Sequence, residues 1–241
     1  MLHKTRGIVL HQIRYSESSL IVKIFTRDLG LQSYLVKGAR SKRSSMRSSL
    51  FQPMTLLDLV VYHREKNDLQ HMREAALAEP FHSIASDLRR SSIALFLAEI
   101  ITKTLKEGEA NEDMFDFLAS SLHYLDIQSG GLENFHLYFL IQYSRFLGFN
   151  PQGKPQGSNA CFDLREGKFV SEQPAHSDRI EGEPGKSFYM LTMASAGGLD
   201  KLTIPKSIRD KLLNALIMYY QIHLSGLGTI KSLDVLREVF R

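Results

Sequence analysis

Between Lys37 and Arg47 the chain sets five cations, Lys37, Arg40, Lys42, Arg43 and Arg47, among Gly38, Ala39 and interleaved serines, with no acid between them. That spacing suits polyanion chemistry rather than bond chemistry. Small residues let each cation reach a phosphate, and serine hydroxyls add hydrogen bonds to phosphate oxygens. Such contacts dominate the part of nucleic-acid affinity that does not depend on base sequence. A loop this basic repels itself and gains little from exposure alone, which favours an anionic partner over a merely solvated surface. Arg6, Arg14 and Lys23, on the strands expected beside the loop, extend the patch. Tyr34 and Phe25 offer aromatic faces for stacking the bases of a single strand. With no Trp in the chain, that platform would be modest.

Residue types that break bonds are present, but not in working arrangements. Gly148, Gly153 and Lys154 match a phosphate-binding loop up to its lysine, yet the next residue is Pro155 where a Ser or Thr should meet magnesium. The stretch also follows a predicted helix, where a phosphate-binding loop follows a strand. Gly226 and Gly228 lack a third glycine. The nine histidines include no His-Glu-x-x-His spacing, and no Gly-x-Ser-x-Gly elbow is present. Cys161 has no neighbour that would lower its pKa, and a lone cysteine excludes both a disulfide framework and a multi-cysteine zinc site. Enzymology would need an acid–base pair assembled by the fold, for which there is no motif. The expectation is a protein that is not an enzyme, with no cofactor and no metal.

The elements that must position the basic loop change style near Pro80. Before it, short alternating runs are separated by turn signals. The first lies around Ile8–Ile13. In Ser18–Thr26, Leu20, Val22 and Ile24 form one face, and Ile21, Lys23 and Phe25 the other. Leu31–Val36, Thr55–Tyr62 and Leu69–Glu74 follow, with Gly30 suited to a turn after Asp28. Five strands in about 75 residues fit a small closed barrel, of which the five-stranded oligonucleotide-binding (OB) barrel is the natural candidate. An SH3-like barrel or a small sandwich has the same spacing. After Pro80 the period becomes helical. One stripe runs through Ile93, Phe96, Leu97, Ile100, Ile101 and Leu105. Others cover Glu112–Leu125, Leu132–Leu147 and 207–224. Residues 149–186 are rich in Gly, Pro, Ser and charge. A hairpin is expected within them, pairing Phe162–Arg165 with Lys168–Val170. The predicted class is α+β: an N-terminal barrel domain over 1–80, then a helical domain over 81–241 with a hairpin insertion at about 150–186.

Composition agrees with a folded chain that binds an anion. Of the 241 residues 43% are hydrophobic and 23% charged, enough to bury a core. Residues 1–80 hold thirteen Lys or Arg against seven Asp or Glu, whereas the remainder holds seventeen against nineteen. A net +6 therefore sits on the first third of the chain, which points to an acidic partner for that segment. No apolar run is long enough for a membrane span, since Asp58 and Glu99 interrupt the longest ones. Gly7–Leu10 is too short for the apolar region of a signal peptide. A reducing cytoplasm with no membrane attachment is expected.

These residues make the chain similar to a known family. Gly7–Leu10, Tyr15–Ser19, Phe25–Gly30, the Val36–Arg40 stretch, Leu50–Pro53 and later Arg145–Phe149 with Pro151 resemble, in that order, the RecO family of bacterial DNA repair proteins. The resemblance implies an OB barrel followed by a helical domain, and binding of both single- and double-stranded DNA. It further implies annealing of complementary strands and the loading of RecA onto strands coated by single-strand DNA-binding protein, together with RecR. The expected place is the bacterial cytoplasm, on the nucleoid when DNA is bound. The family's basic barrel loop falls on Lys37, Arg40, Lys42, Arg43 and Arg47. Many relatives carry a four-cysteine zinc module; here Cys161 keeps its first position, Leu164 stands at the partner position and the second pair is absent. For the acidic, partly apolar tail of the single-strand-binding protein, Arg145 beside Tyr143, Phe146 and Phe149 is the candidate dock. The alternative is a non-enzymatic adaptor whose barrel binds a protein or an RNA.

Overall fold

The alternation in the first third builds β1 (Leu2–Arg14), β2 (Leu20–Thr26), β3 (Gly30–Val36), β4 (Leu56–Tyr62) and β5 (Leu69–Leu77). In the computed structural model, which describes residues 1–39 and 46–240, these strands close into a barrel in the order β1-β2-β3-β5-β4. Only the β3–β5 pairing is parallel. The architecture is that of an OB barrel, as the spacing suggested. Closure depends on the long first strand. Its first half pairs with β4, from Leu2 opposite Tyr62 to Ile8 opposite Leu56. Its second half pairs with β2, from Gly7 opposite Thr26 to Arg14 opposite Leu20. At the changeover sits Gly7, where a Cβ would lie 2.5 Å from the Ile24 side chain and 2.7 Å from Leu59. A side chain there would force the strands apart.

Inside the barrel pack Val9, Leu20, Val22, Ile24, Val36, Leu57, Leu59 and Val61. A short 3₁₀ turn, Ser48–Phe51, drops the fully buried Phe51 into the same core and plugs one end.

Three helices and a terminal one belong to the same compact unit as the barrel, residues 1–127 with 230–241. They are α1 (His82–Ser86), α2 (Leu88–Thr104), α3 (Glu112–Ile127) and α7 (Ser232–Val239). The starts of α1, α2 and α7 are satisfied by carboxylates, and that of α3 by the Asn111 amide oxygen, as orphan helix N–H groups require. Asp87 caps its own helix, accepting from the Arg89 and Arg90 amides at 2.8 and 3.1 Å. Asp126 of α3 accepts from the amides of His82, Ser83 and Ile84, closing α1 from outside. Glu99 of α2 accepts from the Lys231 and Ser232 amides at 3.0 and 2.8 Å and from the Ser232 hydroxyl at 2.6 Å, which holds the start of α7.

The second unit spans residues 128–229. It contains α4 (Leu132–Tyr143), α5 (Gly182–Met193), α6 (Lys206–His223) and a sheet of β6 (Cys161–Asp163), β7 (Lys168–Val170) and β8 (Arg179–Ile180), ordered β7-β6-β8. The expected hairpin is present, and β8 makes it a three-stranded sheet. Phe162 anchors it, with ring centroids 5.1 Å from Phe169, 4.6 Å from Phe188 and 5.6 Å from Tyr219. Among the described residues no helix is long and apolar enough to cross a membrane.

Candidate nucleic-acid interface

Strand register decides which cations share a surface. Arg14 ends β1 opposite Leu20, Leu20 lies opposite Val36, and Lys37 follows Val36 directly. Arg14 and Lys37 therefore stand at one end of the barrel. The basic loop leaves the barrel after Ala39 and returns at Ser48, whose amide donates to the Ala39 carbonyl at 2.9 Å. That bond pinches the base of the loop and keeps Arg47 beside its start. Arg14 also lines a small recess with Gln12, Ser48 and Gln52, so the two ends of the arrangement meet. Arg14, Lys37 and Arg47 are exposed, and among the described residues none of them has an ion-pair partner. Arg40, Lys42 and Arg43 lie outside the described residues.

Lys23, Arg27 and Arg6, by contrast, are neutralised. Lys23 pairs with Glu107 at 3.1 Å, and the segment carrying Glu107 lies along β3, where the Gly108 amide donates to the Leu31 carbonyl. Arg27 pairs with Glu112 at 2.8 Å and Asp116 at 3.3 Å; these acids on α3 raise the guanidinium pKa further. Arg6 was expected in the patch and is not part of it. It lies eight residues back from Arg14, roughly 25 Å along a strand, and pairs with Asp58 at 3.3 Å and Glu79 at 3.6 Å. Lys23 is likewise spent on an acid of its own chain.

The aromatic platform also needs correction. Tyr34 is fully buried in the barrel core, because the register sets it opposite the inward-facing Val22. Burial pushes its phenol well above the usual range, so the hydroxyl stays protonated. Phe25 is buried too, with its ring 6.2 Å from Phe115 of α3. Neither ring can meet a base. Two aromatics that the sequence reading passed over are exposed instead: Tyr15, next to Arg14 in the β1–β2 turn, at 61%, and Tyr62, the last residue of β4, at 47%. Tyr15 carries a sequence signal, since an aromatic among Ser16, Glu17, Ser18 and Ser19 has no apolar neighbours to bury it.

In the second unit the candidate dock separates into core and surface. Tyr143 is fully buried, its ring stacked 5.6 Å from Phe139, and is unavailable to a partner. Phe149 is half-buried, stacked on His223 at 5.1 Å and edge-on to Tyr219 and Tyr220. Phe146 is half-buried, and Arg145 is exposed with its guanidinium donating to Gln142 at 3.0 Å. The sequence stripe through these aromatics marks the inside of a helical unit.

The residues near Cys161 do not fit a zinc ion. Cys161 is buried and burial pushes its thiol up; Leu164 at the partner position is also buried. Among the described residues no three His, Cys, Asp or Glu side chains gather where a metal ion could be held. The small sheet has other fasteners. The Asp163 carboxylate accepts from the Arg165 and Glu166 amides at 2.8 and 3.2 Å and meets His176 at 3.3 Å. Arg165 grips Asp178 at 2.7 Å.

Comparison with known proteins adds what geometry alone does not carry. Residues 1–81 match the family model described as "Recombination protein O N terminal", and residues 85–234 match "Recombination protein O C terminal". The chain is 40% identical over 238 residues to a DNA repair protein RecO of Flavobacterium psychrophilum, covering 98% of each chain. It is 36% identical over 240 residues to that of Phocaeicola vulgatus and 32% identical over 244 to that of Porphyromonas gingivalis, in both cases over the full length of both chains.

Proposed function

The chain belongs to the RecO family of DNA repair proteins, and from that premise we propose that it acts as a non-enzymatic mediator in homologous recombination, binding single- and double-stranded DNA at the end of its barrel where Arg14, Lys37 and Arg47 meet. The observation that carries this reading is the convergence of Arg14, Lys37 and Arg47, without ion-pair partners among the described residues, at the base of a loop with three more cations. Phosphate neutralisation there lowers the repulsion between two strands, and base pairing then supplies the driving force for annealing. No bond is made or broken by the protein. Tyr15, exposed beside Arg14, takes the stacking role that Tyr34 cannot. Within the proposed reaction the protein works in the bacterial cytoplasm with RecR on strands coated by single-strand DNA-binding protein, and hands them to RecA.

Fluorescence anisotropy of a labelled oligothymidylate, titrated with protein across salt concentrations, tests the DNA reading. If Arg14 and the five cations of the 37–47 loop each neutralise a phosphate, log K falls against log salt with a slope of about −4.2, from roughly −0.7 per contact. Replacing Arg14, Lys37 and Arg47 by Ala reduces the steepness by about 2 on the same basis. Absence of binding at low salt would overturn the mediator and leave the adaptor.

A further inference from the structure

The turn joining β4 to β5 is built on one side chain. Gln70 is buried, at 2% exposure, and its amide is fully committed. Its oxygen accepts from the Arg64 amide at 3.0 Å, and its nitrogen donates to the carbonyls of Arg64 at 2.8 Å and Asn67 at 2.6 Å. These bonds draw the turn's backbone polar groups inward. The Arg64 side chain is left exposed, with no ion-pair partner among the described residues. Parallel pairing of β3 with β5 ends at Leu35 opposite His71, which carries Lys37, two residues on, to the same place. Antiparallel pairing of β4 with β5 sets Tyr62 opposite His71 from the other side.

The result is a recess of about 500 Å³ lined by Lys37, Tyr62, Arg64, Asn67 and His71, together with the buried Gln70 and Met72. Among the described residues no carboxylate lines it. Its volume falls in the range that encloses a small-molecule-sized group, about 300–1,000 Å³. An exposed aromatic ring in one recess with two cations that have no ion-pair partner among the described residues suits the repeating unit of a single strand, a flat base between phosphates.

We propose that this recess is a nucleotide subsite for single-stranded DNA, in which Tyr62 stacks on one base and Lys37 and Arg64 take the flanking phosphates. The subsite rests on the reading of the barrel end as a DNA surface, and extends the path from the 37–47 loop onto the β4–β5 turn.

The test uses the full chain and a labelled oligothymidylate, with wild type, Tyr62→Ala, Tyr62→Phe and Arg64→Ala compared over a salt series. Tyr62→Ala weakens binding about tenfold or more at every salt concentration, as loss of one stacked base requires, and leaves the salt slope unchanged. Tyr62→Phe keeps the stacking face and binds as wild type, which separates stacking from any general effect on the fold. Arg64→Ala makes the slope shallower by about 0.7, one phosphate contact. Wild-type binding together with unchanged affinity and slope in both Tyr62→Ala and Arg64→Ala would overturn the subsite while the barrel-end reading stands. Failure of the wild type to bind at low salt would instead overturn the barrel-end reading beneath it.

Discussion

Tyr34 and Tyr62 show how one residue type serves opposite ends within one small barrel. Tyr34 fills the core, and among the described residues its buried hydroxyl has no hydrogen-bond partner at ordinary geometry. Replacing an unpartnered buried polar group by an apolar group of the same shape is close to neutral. Tyr34→Phe should therefore change unfolding free energy by less than about 1 kcal/mol, whereas Tyr34→Ala should cost about 3–5 kcal/mol by opening a cavity. Urea unfolding followed by circular dichroism measures both. DNA affinity of Tyr34→Phe should equal that of wild type; a loss would return this ring to the DNA path. The facing of Tyr34 was legible in principle, since Leu20, Val22 and Ile24 share one face and Tyr34 is a register partner of Val22. Register, however, is fixed by closure of the barrel and not by the alternation of either strand. The same limit applies to charge. Composition counts Arg6, Lys23 and Arg27 equally with Arg14, and only the folded chain shows which of them meet Asp58, Glu107, Glu112 and Asp116.

At the scale of elements, two titratable groups, the buried His136 and the half-buried Glu99, tie stability to pH. His136 on α4 is fully enclosed, and burial, with a further push from Arg209, lowers its pKa to about 3. In the unfolded chain it titrates near 6.5, so the folded state binds fewer protons in between. Stability must then fall as pH drops from about 6.5 toward 3, by up to about 1.4 kcal/mol per unit. Urea titrations between pH 7 and 4.5 should show that loss, and His136→Phe should flatten it; an unchanged slope in the variant would put the proton uptake elsewhere. Glu99 has the opposite sign of charge. Burial raises its pKa, but hydrogen bonds from Ser232 and Lys231 and the Lys103 charge outweigh it and hold the carboxyl below its usual range. Its contribution is present above the unfolded carboxylate pKa and lost as pH falls through the folded one. Glu99→Ala should cost about 1 kcal/mol, the value of a helix N-cap, and speed hydrogen exchange of 232–239 more than that of α3. Long helices and the five strands were readable because their periodicity runs over many residues. The short α7, the two-residue β8 and α5, whose first turn is Gly182, Glu183, Pro184 and Gly185, were not, because tertiary contacts such as the Glu99 cap hold them where local propensity does not.

For the molecule as a whole, the net +6 of residues 1–80 is only partly available. Acids of α3 and of the segment before it neutralise one flank of the barrel, and Arg14, Lys37 and Arg47, without ion-pair partners among the described residues, remain together at the base of the 37–47 loop. Concentrating charge in this way favours bringing two phosphate backbones together at one place, which annealing needs, over coating the whole barrel with DNA. The β-then-α order and the barrel were evident from the chain alone, and so was the basic loop. The exposure of Tyr62 was not, because a single ring at a strand end has no period to betray it, whereas Tyr15 is signalled by its polar neighbours. The most direct test is the rate at which two complementary strands, one carrying a donor dye and one an acceptor, anneal in the presence of protein. Wild type should accelerate annealing, and the variant with Arg14, Lys37 and Arg47 replaced by Ala should bring the rate down toward that of the strands alone, with its melting temperature preserved. Undiminished annealing by that folded variant would contradict the barrel end as the working surface.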